Sequence, residues 1–199
     1  MKQEKKRCHW CKGDPLYEAY HDQEWGVPLK DDQQLFEFLI LETFQAGLSW
    51  ITILRKRPHF REAFDQFDYR LIARYPQSKV DQLMANSHII RNRAKILAAI
   101  ANAQAFMNIQ EEFDSFANYI WAFVENQPIQ NNWKDHQEIP AVTQISIDLS
   151  KDLKKRGFKF VGPTVVYAHM QATGMVNDHI EDCFRHQEVR DLGRNFRLD

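Results

Sequence analysis

"LFEFLILETFQAGLSW", residues 35–50, decides how the rest of the chain is read. Leu35, Phe36, Phe38, Leu39, Ile40, Leu41 and Phe44 leave no face of a helix free for water, so the segment predicts a buried helix. Glu42 stands at i+7 from Leu35 and i+4 from Phe38, on the apolar side. A lone carboxylate in that setting costs several kcal/mol unless something pairs with it. What Glu42 faces is therefore the first question about function.

Working outward, periodicity and caps predict helices over about 32–46, 49–57, 59–65, 78–86, 92–107, 113–125, 147–156 and 163–174. Asp31 or Asp32 suits the first cap. The segment 92–107 has strong helix formers with Ile96, Leu97, Ile100, Ala103 and Met107 as its apolar stripe. "FDSFANYIWAFV" puts Phe113, Phe116, Ile120, Phe123 and Val124 on one side. Alternating strand patterns reduce to "QISI" (144–147) and "FKFV" (158–161), so the expected class is all-α. The polar stretch 125–144 reads as a connection between lobes. The chain suits one domain over 1–199, with a helical middle at about 30–125, a second lobe from 1–29 with 145–185, and a tail at 186–199.

The composition is that of a globular protein rich in aromatics, at a net charge of −1. No global field draws such a chain onto nucleic acid or membrane. The charges cluster locally, however: "RKR" at 55–57 and "KDLKKRGFK" at 151–159 hold eight of the 26 basic residues. The start, "MKQEKKRCHW", has no apolar signal region, and no apolar stretch reaches the ~18 residues of a membrane span. Three cysteines without an export signal argue for a reducing compartment, with the cytoplasm as the default.

Cys8 and His21 lie near one end of the chain, His179 and Cys183 near the other. "HIEDC" spaces His179 and Cys183 at i and i+4, on one face if the segment is helical. Two cysteines and two histidines make an ordinary tetrahedral zinc set. "CHWC" offers a rival, because Cys8 and Cys11 form a C-x-x-C; its redox reading lacks the βαβ context it needs. Spacing alone leaves Cys8 and Cys11 as alternatives, and leaves the four residues as one site or as unrelated positions.

Trp10, Tyr17, Tyr20, Trp25 and Trp50 crowd the first quarter of the chain. Their π-faces attract cations and stack on bases, or else they are core aromatics. Combined with Glu42 they describe a pocket for a flat, positively charged ring. In "KKRGFKFVGPT", Gly157 can end a helix in the left-handed region and Pro163 can open the next. Lys154, Lys155, Arg156 and Lys159 surround the place where a nucleic-acid backbone would run, with Gly162 allowing close approach.

Five stretches carry a resemblance: "DPLYEAYHDQEWGVP", "QAGLSWITIL", "IIRNRAKILAAIANA", "LKKRGFKFVGPT" and "MVNDHIEDC". Together, and in this order from about Cys8 to Cys183, they resemble the 3-methyladenine DNA glycosylase I family. The resemblance implies a helix-hairpin-helix DNA repair fold and a structural Zn2+ held by Cys8, His21, His179 and Cys183. It implies a base pocket of Trp10, Tyr17, Tyr20, Trp25, Glu42 and Trp50, with Glu42 as the key acid and Trp10 and Tyr20 sandwiching the base. It puts the hairpin at 157–162 and a DNA-entering loop at Gly47 and Leu48. Thr43 and Phe44 depart from the expected neighbours of the acid and are expected to alter the pocket floor.

In that reading a monomer hydrolyses the N-glycosidic bond of 3-methyladenine in double-stranded alkylated DNA and releases the free base, with no membrane partner. It is expected in the cytoplasm, on the nucleoid when bound to DNA. Where related glycosylases carry an aspartate after the hairpin helix, "VNDH" has Asn177, with Asp178 shifted by one and read as structural. With no hairpin lysine in a nucleophile's position, hydrolysis without strand cleavage is expected. The alternative is a non-catalytic, zinc-stapled module that binds DNA lesions. The tail from Phe184 has no counterpart in the resemblance.

Overall fold

The computed structural model describes residues 5–45 and 47–198. Helix α1 spans Pro15–Gln23, α2 Asp32–Gln45, α3 Trp50–Ala63, α4 Tyr69–Ile72, α5 Gln77–Ala85 and α6 Arg93–Phe113. After α7, Phe116–Ala122, a short strand β1, Ile129–Gln130, precedes α8, Gln144–Lys155, and α9, Pro163–Ala172. Strand β2, Val176–Asn177, pairs in parallel with β1, and α10, Phe184–Asn195, closes the chain. The molecule is mostly helical, as expected, but both candidate strands fail: 144–147 opens α8, and 158–161 lies in the turn after it.

Local chemistry sets most helix starts. Asp14 accepts from the N–H groups of Leu16 and Tyr17, with Pro15 at the first helical position. Asn92 caps α6, Ser115 caps α7, and Thr143 exchanges reciprocal bonds with Ser146 at the start of α8. Asp31 accepts from Gln34 N–H and so serves α2. Asp32, the other candidate for that cap, reaches across the core instead. Its carboxylate accepts from the N–H groups of Phe116 and Ala117 and from Gln110 Nε2, pinning α2 to the start of α7.

Helix α3 runs straight through Pro58, where the sequence predicted a break between two helices. Packing of Ile53, Leu54 and Phe60 into the core outweighs the one backbone bond that proline removes. The core itself is aromatic. Phe44, Phe60 and Phe64 meet edge to face or stacked, and Phe106 stacks on Phe116 at 4.2 Å between centroids.

Helix α8 and helix α9 pack against each other, joined by residues 156–162, and α9 lies on α2. Gly157, at φ +100°, ends α8: its N–H bonds to Lys154 O while Phe158 N–H bonds to Leu153 O. At Gly174, φ +73°, an added Cβ would sit 2.4 Å from Pro28 N. That close crossing lets Gly26 N–H reach Gln171 O and Leu29 N–H reach Thr173 O. Segments 26–29 and 171–174 meet there. The tail is part of the fold: Val189 is fully buried, Gly193 packs on Pro128 and Gln130, and Phe196 lies 4.2 Å from the Trp121 ring.

Candidate functional site: an acid in an aromatic cavity beside a Cys–His cluster

Helix α2 carries Glu42 and helix α1 carries Tyr17 and Tyr20, while Trp50 opens α3. These residues line one cavity of about 720 Å³ together with Trp10, Trp25 and Gly47. The rest of the lining comes from His136, Ile139 and Pro140 and from Thr164, Val165, Ala168 and Gln171 of α9. Among the described residues, no hydrogen bond or ion pair reaches the Glu42 carboxyl, which is only 4% exposed. Burial alone pushes it up to about 8. Trp50 Nε1 is likewise buried with no partner among the described residues. Among the described residues, the cavity thus holds a buried acid and a buried donor without hydrogen-bond partners.

Burial also raises Tyr17 to about 12, with Cys11 and then Glu42 adding to it, and raises Tyr20 well above its ordinary value, with Glu42 second. Their hydroxyls stay protonated. Trp10 and Tyr20, the expected sandwich, lie 6.4 Å apart between centroids and are tilted by 57°. Thr43 and Phe44 are fully buried on the core side, Thr43 donating to Ile40 O and Phe44 packed on Phe60, so neither shapes the floor of the cavity.

Cys8, His21, His179 and Cys183 come together, fully or almost fully buried, with their donor atoms within 4.8 Å of one another. Cys183 Sγ lies 3.4 Å from His21 Nε2 and 3.6 Å from His179 Nδ1, and Cys8 Sγ lies 3.6 Å from His179 Nδ1. Bond lengths of ~2.0–2.3 Å around one tetrahedral ion require donor separations of about that size. The far ring nitrogens are also engaged. His21 Nδ1 meets Asp22 Oδ1 at 2.8 Å, with Arg7 behind it, and His179 Nε2 meets Trp25 O at 3.1 Å. Such outer bonds fix the tautomer of a metal-binding histidine. The cluster could hold a metal ion, and all four of its positions are protein.

"HIEDC" is a turn, not a helix: Cys183 sits at the cap position of α10, and the turn rather than helical spacing brings it to His179. Cys11 stays outside the cluster. It is buried, its thiol is pushed up to about 11 by desolvation, and it donates to Cys8 O.

A model of the methyladenine glycosylase family matches residues 10–186. The chain belongs to that family. It is 49% identical over 177 residues to DNA-3-methyladenine glycosylase 1 of Escherichia coli, covering 89% of this chain and 95% of that one. A crystal structure of 3-methyladenine DNA glycosylase I superposes with a TM-score of 0.88 at 51% identity, over 90% of this chain and 98% of the other. A variant of such a glycosylase in complex with 3-methyladenine superposes at 0.87, with 36% identity over 89% and 96%.

Within this family member, Leu48 is exposed next to Gly47, whose φ of +86° makes the tight turn after α2. Gln45 supports that turn, accepting from Leu48 N–H and donating from Nε2 to Leu48 O. Lys154, Lys155 and Lys159 are exposed around the turn between α8 and α9. Arg156 differs from them: it bonds Asp152 and Glu112 and lies over Phe113 and Tyr119. Asp178, almost fully buried, accepts from Asn131, Trp133, Tyr167 and Gln171. It binds the 131–133 segment to α9. His136 on the cavity wall carried no sequence signal, because its stretch reads only as a polar connection.

Proposed function

We propose that the protein is a base-excision repair glycosylase that hydrolyses the N-glycosidic bond of 3-methyladenine in alkylated DNA. The observation that carries this is the Glu42 carboxyl, buried in an aromatic cavity with no hydrogen-bond or ion-pair partner among the described residues. Methylation at N3 leaves the base positively charged while it is still attached to the sugar. A cation arriving beside Glu42 favours its carboxylate, so the proton leaves and an ion pair forms in low dielectric. Neutral adenine gains nothing from that charge. The aromatic faces of Trp10, Tyr17, Tyr20 and Trp25 favour the same cationic ring. Trp50 N–H offers a donor to a ring nitrogen.

Extruding the base costs a few kcal/mol of stacking, less for a damaged base. When the N9–C1′ bond breaks, its electron pair returns to the ring, which departs as neutral 3-methyladenine. Water adds to C1′ and loses a proton. With its charge gone, the base no longer pairs with Glu42, which eases release. No lysine lines the cavity among the described residues, so the reading is hydrolysis without a Schiff base and without strand cleavage.

The turn at 156–162 between α8 and α9 is read as the helix-hairpin-helix element, with Lys154, Lys155 and Lys159 along the DNA backbone and Gly157 and Gly162 at its bends. Arg156 holds α8 to Glu112 in this reading. Gly47 and Leu48 are the loop that fills the space left by the base. The Cys8, His21, His179 and Cys183 set suits Zn2+, whose role would be to fasten the two ends of the chain; with four protein donors it has no position for an activated water. The enzyme is read as a monomer acting on duplex DNA in the cytoplasm. Incubating methylated duplex with the pure protein is expected to release 3-methyladenine, resolved by chromatography, with strands intact until alkali. Failure to release the base would refute the assignment, and strand breaks before alkali would refute its monofunctional part.

A further inference from the structure

We propose that His136 is a substrate-binding residue whose Nε2 donates to a sugar or phosphate oxygen of the extruded nucleotide. The proposal rests on the glycosylase reading above. His136 lines the cavity, and its Nε2 is buried with no hydrogen-bond partner among the described residues. An unpaired buried polar atom is disfavoured by ~1–3 kcal/mol, and such atoms in folded proteins call for an explanation. Here the cavity supplies one.

The segment is built to hold the imidazole still. His136 begins a short 3-10 turn, His136–Glu138, where the Asp135 carboxylate accepts from Gln137 N–H and the Glu138 carboxylate accepts from Lys134 N–H. Upstream, Asn131 and Trp133 both donate to buried Asp178, and Glu181 N–H bonds Trp133 O. His136 is therefore carried on backbone tied to the Cys–His end of the molecule, not on a loose loop.

Size and placement argue for the nucleotide's backbone over its base. At about 720 Å³ the cavity matches sites of ~300–1,000 Å³ that hold drug-sized ligands, larger than a single purine. Pro140, Thr164 and Val165 line the same cavity as His136, the last two in the first turn of the helix that leaves the 156–162 turn. The titratable groups that act on His136 are Asp135, His9, Cys183 and His179, and Glu42 is not among them.

The test compares His136→Ala, His136→Phe and His136→Gln in two assays: single-turnover excision from methylated duplex, and binding of free 3-methyladenine followed by tryptophan fluorescence. Loss of one hydrogen bond is expected to slow excision about three- to tenfold in the Ala and Phe variants. Free-base affinity should stay within about twofold of wild type, because the free base lacks the sugar and phosphate. Gln, whose amide nitrogen reaches near the place of Nε2, should recover most of the excision rate. Equal losses in both assays would place His136 on the base and overturn the proposal. So would unchanged excision in Ala and Phe, or a Gln variant no better than Phe. Wild-type protein that neither binds nor releases the base would instead overturn the glycosylase reading.

Discussion

Replacing Glu42 with Gln should make the empty protein more stable, and the gain should depend on pH. The folded carboxyl titrates near 8 against an ordinary value of 4.5, a shift caused by burial. Because the folded value is raised, the folded state binds the proton that the unfolded chain releases. The carboxyl therefore costs nothing below pH 4.5, costs more with each unit between 4.5 and about 8, and levels off above that. At about 1.4 kcal/mol per pH unit, the difference reaches roughly 3 kcal/mol near pH 7 and about 5 kcal/mol at its ceiling. Gln keeps the shape and cannot ionise. Urea denaturation of both proteins across about pH 5 to pH 9 isolates this group, since every other titration is common to the pair. A stability gap that stays constant between about pH 5 and pH 8 would refute the claim that Glu42 is buried without a partner.

The same acid should govern activity in the opposite sense: kcat/KM for base release should climb about tenfold per pH unit until near 8, then level, as the carboxylate form that pairs with the cation accumulates. Glu42→Gln should flatten that profile and lower excision roughly 10- to 100-fold near neutral pH. Asp178→Ala should cost about 3–5 kcal/mol in denaturant melts by stranding the donors of Asn131, Trp133, Tyr167 and Gln171. Zinc analysis of purified protein should give about one ion per chain, and strong chelation should lower the melting temperature together with activity. Lys154→Ala and Lys159→Ala should each weaken duplex binding and reduce its salt slope by ~1, leaving free-base binding unchanged.

Some of the site was legible because it rests on residue type. A carboxylate among Leu35, Phe38 and Leu41 is anomalous in any fold, and a cap such as Asp31 acts within a few residues of itself. Elsewhere local reading failed for a physical reason. Pro58 looked like a helix end, but burial of Phe60 on its far side holds α3 together. Asp32 looked like the cap of its own helix, yet its partners lie at Phe116 and Ala117. Arg156 read as one more cation of the hairpin, and the structure also bonds it to Glu112 at the end of α6, a contact no local pattern encodes.

The sequence by itself determined the helical class, the buried acid with its aromatic neighbours, and the motifs of the methyladenine glycosylases. These follow from side-chain chemistry and short spacing, which the chain carries before it folds. Spacing left Cys8 and Cys11 as alternatives and the family resemblance named Cys8; only the tertiary structure brings its thiol together with His21, His179 and Cys183, within 4.8 Å of one another. It alone placed His136 on the cavity wall and made the tail from Phe184 part of the core. Contacts between residues more than a hundred positions apart are set by packing of the whole chain, and no local pattern encodes them.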